Sequence, residues 1–144
     1  MKKMVLAFIV GLAFFSSNLN AQSENNKYLK NTLDLIADKT LEAYNSQDYI
    51  GFFKYYTNSL SQLKTKKYFD NLFVSVYKNS FGDIVSKELV DGKSSFNSDY
   101  PRLVYKAKCA KHNNVLIQIN FQEESGNYRI NRITFDRKPQ GENY

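Results

Sequence analysis

The sequence predicts an α+β domain in which N-terminal helices pack on a curved antiparallel sheet of four strands. Apolar residues recur every three or four positions from residue 27 to residue 81, the spacing of helices that bury one face. From residue 84 onward apolar and polar residues alternate, as they do in strands with one buried face. Helices that precede an antiparallel meander are typical of a two-layer α+β fold.

Three helices are predicted. The first extends over residues 27–44. Its apolar face consists of Leu29, Leu33, Ile36, Ala37, Thr40, Leu41 and Tyr44. Asp48 is placed to cap the second helix and Thr65 to cap the third. The inner face of the third helix is predicted to be Phe69, Leu72, Phe73, Val76 and either Tyr77 or Ser80. That helix ends before Gly82, because glycine readily adopts the left-handed conformation that follows a helix.

Four strands follow, separated by turns rich in Asn, Ser and Gly. They are predicted over residues 84–90, 102–111, 115–122 and 128–137. The second strand has one apolar face and one mostly basic face. The apolar face is Leu103, Tyr105, Ala107 and Cys109, and the opposite face is Arg102, Val104, Lys106 and Lys108.

The fourth strand contains a change of phase. Tyr128 and Ile130 share one side of the strand, whereas Ile133 and Phe135 share the other. A β-bulge near residues 131–132 would bring both pairs to the core and bend the sheet. We therefore expect an extra, unpaired residue at that point.

Residues 1–21 have the parts of a cleavable signal peptide. A pair of lysines precedes an apolar run over residues 4–15, and the small residue Ala21 stands at the expected cleavage position. The run is shorter than the roughly 20 residues that a membrane-spanning helix needs. We expect a periplasmic or secreted protein with no transmembrane segment in the mature chain, a single domain over 22–138 and a tail over 139–144.

Composition excludes several classes of site. The net charge of +6 is spread along the chain, so no nucleic-acid partner is expected. The single cysteine, Cys109, excludes a disulfide framework, and the single histidine, His112, excludes zinc or copper sites that need several imidazoles. Asp34 and Asp38, one helical turn apart, are too few ligands for calcium and are interpreted as part of a solvated helix face. No metal site and no cofactor is predicted.

No catalytic residue is assigned. Cys109 is expected to pack as a small hydrophobe on the apolar face of its strand, and not to act as a nucleophile. His112 is expected to be exposed in an Asn-rich turn. No serine has the G-x-S-x-G signature, although a Ser-His-Asp arrangement assembled in space stays open.

Aromatic residues are unusually numerous, with 11 Tyr and 11 Phe. Most are expected in the core, and some could line a pocket between helices and sheet. The pocket candidates are Phe52, Tyr56, Phe73, Tyr77, Tyr105 and Phe121. The candidates for a basic interaction surface are Arg102, Lys106 and Lys108, with Arg129 and Arg132 across the sheet. A merely solubilising outer face is the alternative interpretation of these charges.

The C-terminal half also carries a wider pattern, in which a glycine ends the last helix and antiparallel strands follow. It comprises residues 81–90, 103–109, 116–121 and 128–135. This pattern resembles the cystatin-like, nuclear transport factor 2-like superfamily, and more narrowly its small secreted bacterial members of unknown function. The resemblance covers residues 26–137 and implies a strongly curved sheet that wraps around the helices as a cone.

The superfamily contains ketosteroid isomerases, which use an aspartate base and an oxyanion hole of tyrosine and protonated acid. That set of residues is not matched here. The leading hypothesis is a non-enzymatic exported module that binds a small apolar ligand or a protein partner. One alternative is a small isomerase, lyase or hydrolase acting on an apolar ligand, which an acid facing a tyrosine inside the cone would favour. Another is an inhibitor or immunity-type protein that binds an acidic partner through the basic face. The sequence leaves open whether the protein forms a homodimer.

Overall fold

The computed structural model describes the backbone of residues 2–96 and 99–137, and the side chains from residue 22 onward within those ranges. The chain divides into two compact units, one ending at Thr32 and the other beginning at Leu33. The first unit holds the N-terminal part of helix α1 (Lys2–Ser46). The predicted signal peptide and the predicted tail lie outside the residues described in full. No helix in the described ranges has the length and apolarity needed to cross a membrane.

The second unit has helices followed by a four-stranded antiparallel sheet, which confirms the predicted α+β fold. After α1 come α2 (Tyr49–Phe53), a 3₁₀ segment (Asn58–Leu63) and α3, in which the α-helical turns Lys66–Tyr68 and Asn79–Phe81 flank a π-helical stretch, Phe69–Lys78. The strands are β1 (Ile84–Leu89), β2 (Arg102–Cys109), β3 (Val115–Glu124) and β4 (Asn127–Arg137), adjacent in that order. A 3₁₀ turn, Asp91–Lys93, follows β1.

The predicted helix ends are confirmed at three positions. The Asp48 carboxylate accepts a hydrogen bond from the Gly51 N–H at 3.0 Å, which caps α2. The Thr65 hydroxyl accepts one from the Tyr68 N–H at 3.2 Å at the start of α3. Gly82 follows α3 with a φ angle of 78°, the left-handed region that favours glycine.

The π-helical stretch changes which side of α3 is buried. Phe69, Phe73 and Phe81 are buried, whereas Val76 is 48 % exposed, so the prediction that Val76 packs inward is wrong. A π-helix bonds residue i to residue i+5 and so turns through a smaller angle per residue than an α-helix. Aromatic side chains four residues apart stay aligned as a result, while residue 76, seven after Phe69, turns towards solvent.

The predicted β-bulge is confirmed. The register between β3 and β4 shifts at Asn131, which has no partner of its own across the ladder. Ile130, Ile133 and Phe135 are all buried as a result, and Tyr128 is half-buried. The bulge therefore gives β4 one buried face in spite of its change of phase.

The end of α1 is fixed to the start of the sheet by polar contacts above an aromatic core. The Asn45 side-chain amide donates to the Ile84 carbonyl and accepts from the Ile84 N–H, at 2.9 Å each, as the backbone of a neighbouring strand would. The Tyr44 hydroxyl donates to the Gly82 carbonyl at 3.2 Å, and its ring lies 4.9 Å from that of Phe135. These contacts hold the helical layer on the inner face of the sheet.

Candidate functional site

A cavity of about 270 Å³ lies between α3 and the edge of β4. Its walls are Tyr56, Leu60 and Leu63 from the segment after α2, Tyr68, Leu72, Phe73 and Tyr77 from α3, and residues 131–134 from β4. The walls are mainly aromatic and aliphatic, with a small number of polar groups. That combination is typical of small-molecule sites.

A short backbone pairing places Tyr56 in this cavity. The Thr57 N–H donates to the Ile130 carbonyl at 2.9 Å, and the Ile130 N–H donates to the Tyr55 carbonyl at 2.8 Å. Residues 55–57 thus run parallel to the edge of β4 immediately before the bulge. The Lys64 ammonium group donates to the Tyr56 carbonyl at 3.0 Å and fixes the following turn.

The Tyr56 side chain has an unsatisfied hydroxyl. The residue is 6 % exposed, and its hydroxyl oxygen is buried without a hydrogen-bond partner among the described residues. Burial, and then the neighbouring phenols of Tyr68 and Tyr77, raise the pKa of Tyr56 well above its ordinary value. The group is therefore protonated at neutral pH, and an unpaired buried hydroxyl of this kind costs about 1–3 kcal/mol.

Further polar side chains line the cavity, among them those of Tyr77 and Arg132. Burial and then Asp136 raise the pKa of Tyr77, while a hydrogen bond from the Phe135 backbone and the charge of Arg132 lower it. Arg132 is exposed and forms no ion pair with another residue in the described ranges. The lining of the cavity thus includes a cationic donor and a protonated phenol.

The predicted pocket residues divide into two groups of three. Tyr56, Phe73 and Tyr77 line the cavity. Phe52, Tyr105 and Phe121 are at most 1 % exposed and belong to the core, away from the cavity walls. The sequence did not predict that Leu60, Leu63 and residues 131–134 line the cavity. The predicted bulge could have indicated residues 131–134, because bulges often lie beside functional sites.

An acidic residue does face a tyrosine, but outside the cavity. The Tyr105 hydroxyl donates to the Asp34 carboxylate at 2.5 Å, and Lys87 lies 2.8 Å from Asp38 and 3.9 Å from the centre of the Tyr105 ring. Asp34 is half-buried, so the prediction of a solvated face is wrong for this residue. Burial first, and then the bond to Asp34, raise the pKa of Tyr105. These contacts join α1 to β1 and β2.

The other titratable candidates occupy structural positions. Cys109 is 2 % exposed in the core, as the alternation of β2 predicts. His112 is half-buried in the turn after β2, with its ring 5.8 Å from that of Phe81. No group of three or more His, Cys, Asp or Glu residues that could hold a metal ion occurs in the part of the chain that the structure describes.

The buried thiol predicts a pH dependence of stability. Burial raises the pKa of Cys109 from 9.0 to about 11, so the folded state retains a proton that the unfolded state loses. This contribution is present below pH 9 and is lost as the pH rises towards 11. We expect the free energy of unfolding to fall by about 1 kcal/mol more between pH 8 and pH 10 in the natural protein than in Cys109→Ala. Urea unfolding at several pH values measures the free energy of unfolding of both proteins. Parallel pH profiles of the two proteins would contradict a raised pKa of the Cys109 thiol.

The predicted basic surface is discontinuous. Arg102, Lys106 and Lys108 are all exposed on β2. Glu88 lies across from Lys106 in the neighbouring strand. Val104, in the middle of the same face, is only 4 % exposed, and the turn after β1 is hydrogen-bonded to its backbone. The charges therefore do not form an unbroken stripe.

In comparisons with known proteins the chain matches no family model and no curated protein. The superfamily resemblance therefore stays a prediction, and the candidate site is defined by its own geometry.

Proposed function

We propose that this protein is an exported, non-enzymatic binding module that holds a small, largely apolar ligand in the cavity between α3 and β4. The observation that supports this most strongly is the Tyr56 hydroxyl in the cavity wall, which is buried and has no partner among the residues that the structure describes. Native proteins leave few buried polar groups unsatisfied, and each one calls for a specific reason. A ligand hydroxyl or carbonyl group would supply the missing hydrogen bond.

The size and lining of the cavity support a small ligand. Its volume of about 270 Å³ is near the lower limit of small-molecule pockets, which is roughly 300 Å³. Leu60, Leu72, Phe73 and Ile133 provide apolar contacts on several sides. The Tyr56 hydroxyl oxygen is buried, so a ligand would reach it through a movement of neighbouring side chains.

The titratable groups of the cavity favour binding over catalysis. Tyr56 and Tyr77 both have raised pKa values, so at neutral pH they are hydrogen-bond donors and not bases. None of the described residues that line the cavity is acidic. The acid–tyrosine pair Asp34 and Tyr105, which would suit proton transfer, does not line it. Export is supported separately by the signal-like features of residues 1–21.

A comparison of p-cresol with toluene tests the role of Tyr56. The two probes have the same apolar body, and only p-cresol has a hydroxyl group. We expect Tyr56→Phe to weaken p-cresol binding by about 1 kcal/mol, which is roughly fivefold, and to leave toluene binding unchanged. Calorimetric or NMR titration of both probes on both proteins gives the four dissociation constants that this comparison needs.

The same substitution has an expected effect on stability. Tyr56→Phe removes an unsatisfied buried hydroxyl, so the free energy of unfolding should rise by up to about 1 kcal/mol. The matched control is Tyr105→Phe, which removes a hydroxyl bonded to a carboxylate and should lower stability by about 1.5–3 kcal/mol. Equal losses of affinity for both probes, or no binding of either by the natural protein, would contradict the proposal.

A further inference from the structure

Along the outer edge of β4, the backbone groups of some residues are hydrogen-bonded to another segment, and these are called closed positions. Residues whose outward backbone groups lack such a partner in the described ranges are called open positions. In an antiparallel ladder, alternate residues direct both their N–H and C=O groups to the same neighbour. Ile130 directs both groups away from β3, because they pair with residues 55–57. On the neighbouring strand β3, the Phe121 N–H is directed towards β2, since it donates to the Pro101 carbonyl at 2.8 Å.

Ile133 lies three residues beyond the closed position at Ile130. Because Phe121 faces β2, the alternation directs Asn120 and Gln118 towards β4, where Arg132 and Thr134 are their partners. The N–H and C=O of Ile133, between those two residues, are therefore directed outward. No residue in the described ranges forms a backbone pair with this edge at Ile133.

The cavity lies along this open part of the edge. Residues 131–134 form its β4 wall, and Tyr56 borders the side of the closed position at Ile130. Ile133 therefore presents one backbone donor and one backbone acceptor to the cavity, within a mainly apolar lining. Backbone groups in such a place are obligatory hydrogen-bonding partners.

We infer that the ligand carries a residue-like unit, two amide groups that flank one carbon atom, which pairs with the Ile133 N–H and C=O as a residue of an added strand would, next to an apolar side group that fills the cavity. This rests on the proposed function and specifies its ligand class. The N–H and C=O on either side of such a carbon point in the same direction, whereas those of a single trans amide point in opposite directions, so the residue-like unit matches the two groups that Ile133 offers. Two sources provide this chemistry, an extended peptide segment and a small free diamide.

The test uses N-acetyl-L-leucine methylamide and the matched diester, methyl (S)-2-acetoxy-4-methylpentanoate. The diester keeps the apolar group and both carbonyl oxygens but has an oxygen in place of each N–H. We expect the methylamide to bind about fivefold or more tightly than the diester, because only the methylamide can donate to the Ile133 carbonyl. In ¹H–¹⁵N spectra, the Ile133 amide proton should shift downfield with the methylamide and exchange more slowly with solvent, while Arg132 and Thr134 stay protected throughout.

A capped pentapeptide, acetyl-Ser-Thr-Leu-Thr-Ser-amide, distinguishes the two sources. Binding more than tenfold tighter than that of the methylamide would assign the site to extended peptides, and equal binding would assign it to small amides. Equal affinity of the methylamide and the diester with an unmoved Ile133 signal would overturn the inference. If p-cresol still binds in that case, the proposed function stands without it. If no probe binds, both fail.

Discussion

Deletion of Asn131 is expected to unfold the protein or to leave it with a small fraction of its stability. Asn131 is the extra residue that lets Ile130 before it and Ile133 and Phe135 after it face the same core. Without it, either Ile130 or the other pair must turn to the outer face, because a one-residue change of register reverses every side chain. Exposing Ile130 costs about 1.5–3 kcal/mol and also breaks its backbone pairing with residues 55–57. Exposing Ile133 and Phe135 costs about 3–6 kcal/mol, much of the stability of a typical domain.

Urea unfolding followed by circular dichroism measures this loss. The matched control is Asn131→Ala, which keeps the residue count and the bulge and should change stability by less than about 1 kcal/mol. A deletion variant that unfolds at nearly the same urea concentration as the natural protein would contradict this account of β4.

Phe52→Ala is expected to lower the free energy of unfolding by about 3–5 kcal/mol. Phe52 is fully buried, and its ring contacts those of Phe53, Tyr56, Phe69 and Phe73, with centroid distances of 4.4–5.5 Å. Truncation removes these contacts and leaves a void that the surrounding rings fill only in part. The cluster also supports the cavity, so binding of p-cresol should weaken as well.

Ile50→Ala is the control on the same helix. Ile50 is 69 % exposed, and its truncation should change stability by less than about 0.5 kcal/mol. Losses of similar size for Phe52→Ala and Ile50→Ala would show that the aromatic cluster is not the core of this layer.

Much of the fold could be predicted because its signals are local. The caps at Asp48 and Thr65 act within three residues, and Gly82 ends a helix through its own backbone conformation. The bulge at Asn131 was detectable because the apolar phase changes within a single strand. Each of these features depends on neighbours in sequence, so periodicity and residue type were sufficient.

Features that depend on distant residues were not predicted. The bond between Tyr105 and Asp34 joins residues 71 positions apart, and α-helical spacing alone placed Asp34 in solvent. Val76 was placed inward because the sequence does not distinguish π-helical from α-helical turns. Local signals therefore describe the elements well and their mutual contacts poorly.

The candidate site was predicted in part for the same reason. Aromatic spacing identified Tyr56, Phe73 and Tyr77, but it also selected Phe52, which is core. The open position at Ile133 follows from the bulge and from the point at which the pairing of residues 55–57 with β4 ends. That pairing has no signature in a single segment.

Intermolecular nuclear Overhauser effects from bound p-cresol test most directly whether the cavity is the ligand site. We expect contacts from the ring and methyl protons of the probe to Tyr56, Phe73 and Ile133, which line the cavity. Contacts confined to the outer face of the sheet, for instance to Leu116 or Lys106, would contradict it.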